Sequence, residues 1–185
     1  NTKALKLINI ARRYKHIKPV PRMPNFAAWI EGVDLTRPLS ALVQAELRQA
    51  LFDFEVIFFQ PQVITPAQHV ALAKVFGPVS SGSYFERKPG SPEMEMIVTD
   101  QERPPSIDNW HTDISWKLKP PLGTAIQITE TPPAGGNTCW TSTSKAYDWL
   151  SPGLQKYLEG LTAVHSWEES GFREALGKRG EDALV

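Results

Sequence analysis

Asn109-Trp110-His111-Thr112-Asp113-Ile114-Ser115-Trp116 carries a histidine and an aspartate two positions apart. In an extended stretch, side chains at i and i+2 emerge on one face, so the His111 imidazole and the Asp113 carboxylate can reach the same ion. One ring nitrogen and one carboxylate oxygen leave room for a second histidine, and that trio is the 2-His-1-carboxylate face of oxygen-activating non-haem Fe(II) sites. The same donor types also suit zinc. Because His-x-Asp is a short pattern, the residues around it decide its meaning.

Downstream, residues 123–130 alternate, with Ile126 and Ile128 on one face, and predict a strand. Residues 137–141 predict the next, across the turn Pro132-Pro133-Ala134-Gly135-Gly136. A helix is expected over 144–150, and Ser151-Pro152 starts another as cap and first helical position, ended by Gly160. Residues 161–167 alternate again as a strand, and the charged, glycine-punctuated stretch beyond Ser170 predicts a loop.

Upstream, residues 79–108 are rich in glycine, serine, proline and charge, with one strand-like piece at 95–98. A long irregular stretch inside a compact domain tends to be functional, and this one leads directly to His111. Thr65-Pro66-Ala67-Gln68 opens a helix as a capping box with proline at the first position, and Gly77-Pro78 closes it. Residues 56–59 form an apolar run expected as a strand buried on both faces. Ser40 caps a helix whose Val43, Leu47, Ala50, Leu51 and Phe54 share one face. Residues 26–30 predict a first strand, entered through Pro19, Pro21 and Pro24.

With 185 residues, 41% of them hydrophobic, the chain suits one domain with a substantial core. Twenty basic and twenty acidic residues balance, so no global charge draws it to nucleic acid or an acidic membrane surface, and a small-molecule partner is expected. Residues 1–25 nevertheless hold seven of the basic residues before the first acidic one, Glu31, and are expected as a basic arm or subunit contact. A homo-oligomer is expected. The single cysteine, Cys139, excludes an internal disulfide and is expected as an inert buried thiol. No apolar run is long enough to span a bilayer and no signal-peptide pattern opens the chain, so the cytoplasm is the expected location.

Several blocks together resemble one family. Gly32-Val33-Asp34-Leu35-Thr36-Arg37-Pro38-Leu39, Val56-Ile57-Phe58-Phe59, Phe76-Gly77, Asn109-Trp110-His111-Thr112-Asp113 and Gly135-Gly136-Asn137-Thr138-Cys139-Trp140-Thr141 occur in order. They continue through Ala146-Tyr147, Leu150-Ser151 and Gly160-Leu161-Thr162-Ala163-Val164-His165. The set resembles the taurine dioxygenase, alkylsulfatase and 2,4-dichlorophenoxyacetate dioxygenase family of Fe(II)- and 2-oxoglutarate-dependent oxygenases.

The resemblance implies a mainly β fold, a double-stranded β-helix or jelly roll with covering helices, of which residues 26–185 would be the N-terminal and central part. It implies that His111 and Asp113 are catalytic iron ligands and that the Thr138 hydroxyl holds a carboxylate of the cosubstrate 2-oxoglutarate. O2 is the oxidant, 2-oxoglutarate leaves as succinate and CO2, and a small organic anion is hydroxylated. The third ligand, a distal histidine, and the arginine that pairs with 2-oxoglutarate are expected beyond Val185. His165 falls on a family position that is not a ligand, and a structural role is expected for it. Taurine-specific members carry histidine, tyrosine and asparagine where this chain has Gly82, Phe85 and Ile107. With Ser170 these are the expected substrate-pocket residues, and their apolar character favours an alkyl sulfonate, alkyl sulfate ester or aryloxyalkanoate over taurine.

Two other readings use the same residues. A catalytically silent protein of this fold would bind the small molecule without turnover, and a zinc hydrolase would work without O2. Thr138 favours the oxygenase, because a cosubstrate contact has no reason to accompany a zinc hydrolase.

Overall fold

Ser40 begins the first long helix, α1 (Ala41–Phe54), where its side chain accepts from the Val43 N–H at 3.3 Å. In this computed structural model, which describes residues 9–10, 13–23, 26–80, 85–102 and 109–167, the chain divides into two compact units. The first is built from residues 1–68 and 127–161, the second from 69–126 and 162–185.

The first unit is organised by a β-α-β crossover. Strands β1 (Lys18–Pro21), β2 (Ala28–Glu31) and β3 (Ile57–Phe59) lie in that order, β1 antiparallel and β3 parallel to β2. A parallel neighbour requires a crossover, and α1 supplies it. Its Leu47, Ala50 and Phe54 are fully buried, as are Ala28 and Ile30 of β2. Each fully buried side chain of leucine or phenylalanine size contributes about 1.5–3 kcal/mol. Residues 18–21 of the expected arm therefore belong to the sheet. β1 tolerates Pro19 and Pro21 because it is an edge strand, where the missing N–H breaks no inner ladder.

β3 is half-buried along its length, not covered on both faces as expected, and among the described residues it is an edge strand with only β2 beside it. Phe58 sits opposite Trp29 in register with ring centroids 5.4 Å apart, and Trp140 meets it edge-on at 5.2 Å. The turn at 32–39 is held by Gln62, which accepts from the Leu35 N–H at 2.7 Å and donates to the Val33 carbonyl at 3.1 Å. Helix α2 (Pro66–Phe76) opens with the expected capping box: Thr65 Oγ1 accepts from the Gln68 N–H and Gln68 Oε1 from the Thr65 N–H. Two short helices follow, α3 (Thr143–Asp148) and α4 (Pro152–Leu158), capped by Ser142 and Ser151. Lys145 of α3 forms an ion pair with Glu55 at the end of α1.

In the second unit β4 (Glu86–Lys88) and β5 (Ser91–Met96) make an antiparallel hairpin, and Trp116 lies against the buried Trp167 at 4.6 Å. The expected strands at 123–130, 137–141 and 161–167 are absent among the described residues. A strand is a pairing, not a local conformation, and no described segment offers these stretches a backbone partner. Ile126, Ile128 and Val164 are accordingly exposed. Cys139 is exposed as well, correcting the expected buried thiol, because no described segment covers it on the irregular 137–141 stretch. Among the described residues no helix is long and apolar enough to cross a membrane.

Candidate metal centre

His111 and Asp113 lie in the second unit, His111 on irregular backbone and Asp113 at the start of a turn, neither on a strand. Ile114 directly after Asp113 has φ 53°, a left-handed conformation that costs a β-branched residue energy and that ends any extended run there. The Ile114 carbonyl then accepts from the Lys117 N–H at 3.2 Å to close the turn. The i, i+2 spacing still brings the two donors together, with His111 Nε2 3.3 Å from Asp113 Oδ1.

Two contacts aim these groups. The Asn109 carbonyl stands 2.9 Å from His111 Nδ1, and a carbonyl can only accept, so Nδ1 carries the proton. In the neutral ring the Nε2 lone pair then faces Asp113, which is the tautomer a metal requires. Asp113 Oδ2 accepts from Thr124 Oγ1 at 2.8 Å, leaving Oδ1 as the oxygen turned to His111. Both donor side chains are about half exposed, so an ion can reach them.

The donor set fits a divalent transition metal. With metal–donor bonds of about 2.1 Å, two ligands at right angles stand about 3.0 Å apart, close to the separation seen between Nε2 and Oδ1. Among the described residues no group of three His, Cys, Asp or Glu is placed to hold an ion, so these residues offer the pair alone. His165 does not complete it: its Nδ1 lies 2.9 Å from Ser115 Oγ. That contact and the Trp116–Trp167 pair tie residues 165–167 to 115–116. His69, on α2, is buried, and burial pulls its pKa below the ordinary histidine value, partly offset by the Ala125 carbonyl that accepts from its ring.

Thr138 belongs to the first unit, where it is exposed on an irregular stretch two residues before Trp140. Phe85 is half-buried immediately before β4. Gly82, Ile107 and Ser170 lie outside the described residues. The sequence reading missed Thr124 and the Asn109 carbonyl. Nothing in the pattern of a threonine within an alternating stretch marks it as a partner of Asp113 eleven residues earlier, and the backbone of Asn109 has no signature at all.

A profile of the family described as "Taurine catabolism dioxygenase TauD, TfdA family" matches residues 16–183. Among characterised proteins, the chain is 27% identical over 169 residues to the alpha-ketoglutarate-dependent 2,4-dichlorophenoxyacetate dioxygenase of Cupriavidus pinatubonensis, covering 82% of this chain and 59% of that one. It is 27% identical over 157 residues to the alpha-ketoglutarate-dependent sulfate ester dioxygenase of Pseudomonas putida, covering 80% and 49%. The crystal structure of a taurine dioxygenase from Burkholderia xenovorans superposes with a TM-score of 0.67 at 34% identity, over 83% of this chain and 55% of that one. The chain thus spans about half the length of the relatives it matches.

Proposed function

The chain belongs to the taurine catabolism dioxygenase TauD, TfdA family, and we propose on that premise that the protein is an Fe(II)- and 2-oxoglutarate-dependent dioxygenase. Its substrate in this reading is a small organic anion, a sulfonate, an alkyl sulfate ester or an aryloxyalkanoate, hydroxylated at carbon. The observation that carries the proposal is the facing pair of His111 Nε2 and Asp113 Oδ1, each fixed by a hydrogen bond on its far side.

Fe(II), held with 2-oxoglutarate, would activate O2 as the oxidant: one oxygen atom ends in succinate as 2-oxoglutarate loses CO2, and the other turns a substrate C–H into C–OH. The protein's share is placement. His111 offers a neutral nitrogen whose tautomer Asn109 sets, and Asp113 offers a charged oxygen whose orientation Thr124 sets. Thr138 is assigned as a hydroxyl donor to a 2-oxoglutarate carboxylate, a charge-assisted bond that orients the cosubstrate. The third protein donor is assigned to the distal histidine of the family. Gly82, Phe85, Ile107 and Ser170 are assigned to the substrate walls, where glycine and apolar side chains would favour an alkyl or aryl group over the compact zwitterion taurine.

The proposed fold of the whole protein is the double-stranded β-helix of the family. Residues 123–130, 137–141 and 161–167 keep the alternation of strands, and their exposed Ile126, Ile128 and Val164 form the kind of apolar faces that a jelly roll covers.

The test is turnover by the complete protein with Fe(II), 2-oxoglutarate and O2 over a panel of the three substrate classes. Substrate-dependent succinate release is expected. Binding without succinate would support the silent alternative, and turnover without O2 and 2-oxoglutarate would support a hydrolase.

A further inference from the structure

The two oxygens of Asp113 have different surroundings. Oδ1 faces His111 Nε2 at 3.3 Å, whereas Oδ2 accepts from Thr124 Oγ1 at 2.8 Å. An aspartate left to itself turns about a broad, two-fold terminal torsion and can offer a metal either oxygen or both. Threonine is stiff at χ1, so its hydroxyl defines a point in space better than a serine or a longer side chain would. The segment carrying Thr124 is itself pinned: the buried His69 ring of α2 hydrogen-bonds to the backbone of Ala125, the next residue.

We propose that Thr124 is a positioning residue that holds the Asp113 carboxylate to one-oxygen coordination. The proposal rests on the metal-site reading above. Its consequence is a count of positions on a six-coordinate ion. Three protein donors, each binding through one atom, leave three positions, enough for a cosubstrate bound through two atoms and for O2. A carboxylate bound through both oxygens would take one of those three. By occupying Oδ2, Thr124 keeps that position open.

The experiment uses the full-length metal-free protein titrated with Co(II), followed by the visible absorption of the bound ion, whose band positions and strength report coordination. Thr124→Val preserves the side-chain shape and removes the donor. It is expected to weaken Co(II) binding by about 10–100-fold and to change the spectrum, with the thermal unfolding of the metal-free protein unchanged. Thr124→Ser is expected to restore most of the affinity and the wild-type spectrum, which a merely structural role would not predict. His111→Ala is the control for the site and is expected to abolish binding. Wild-type affinity and spectrum in Thr124→Val, with binding lost in His111→Ala, would overturn the positioning role while leaving the metal site intact. Wild-type binding in His111→Ala would overturn the site and the positioning role with it. Should Thr124→Val fail to fold, Thr124→Ala is read by the same criteria.

Discussion

His111 Nε2 faces Asp113 Oδ1 across 3.3 Å with the ring's other nitrogen already committed to the Asn109 carbonyl. In the neutral ring a lone pair and a carboxylate oxygen then point at one another, an arrangement that favours a cation between them. Asp113→Asn should therefore weaken divalent-metal binding by more than about 100-fold, beyond the range of a change to a supporting residue. Because Asp113 is half exposed, the metal-free variant should be at least as stable as the wild type. Metal titration and urea unfolding of the same two proteins check both halves.

Thr65 and Gln68 satisfy each other's backbone N–H groups, and Gln68 Nε2 also donates to the Thr36 carbonyl at 2.7 Å. Gln68 thus ties the start of α2 to the loop at 32–39. Gln68→Ala should cost about 1–2 kcal/mol, and Thr65→Ala about 1 kcal/mol. Urea unfolding midpoints should fall in that order.

Glu46 of α1 accepts from three successive backbone N–H groups, those of Lys15, His16 and Ile17, at 2.9, 2.9 and 3.0 Å. Burial pushes its pKa up and is the largest single influence, but the three donors and the nearby His16 together outweigh it and leave it below its ordinary value of 4.5. A carboxyl with a lowered folded pKa stabilises above the unfolded value and loses that contribution as pH falls through the folded one. Glu46→Gln should cost about 1 kcal/mol at pH 7, modest because the site is largely solvent-screened. Its stability should also decline less steeply than the wild type's below pH 4.5.

His69 has the opposite chemistry and the same sign of pH dependence. Burial, only partly offset by the Ala125 carbonyl, holds its pKa below the ordinary 6.5, so it stays neutral where an unfolded histidine would take up a proton. The unfolded chain then binds more protons as pH drops below that value, and stability falls with it. His69→Gln should flatten the stability profile as pH falls below about 6.5. An unchanged slope in unfolding free energy over that window would contradict the assignment.

The helices were legible because their signals are local. Ser40, Thr65 with Pro66 and Gln68, and Ser151 with Pro152 each start a helix where the residue types require it. The first helix of the C-terminal pair begins slightly earlier than expected, since Ser142 and not Ser144 accepts from the Lys145 N–H. Strands behaved differently. Residues 28–31 and 57–59 pair side by side, joined by α1, whereas the strands predicted at 123–130, 137–141 and 161–167 have no described partner. Periodicity reports which face would be buried, not whether anything arrives to bury it. The residues around His111 divide in the same way: the i, i+2 spacing of His111 and Asp113 is readable from the sequence, but the approach of Thr124 to Asp113, eleven residues on, follows no helix or strand period.

The central claim is that His111 and Asp113 are the proximal ligands of an iron that also binds 2-oxoglutarate. Anaerobic addition of Fe(II) and 2-oxoglutarate to the complete protein tests it most directly. The account predicts a visible metal-to-ligand charge-transfer band that needs both components and that His111→Ala abolishes. No band in the wild type, or a band undiminished in His111→Ala, would contradict it.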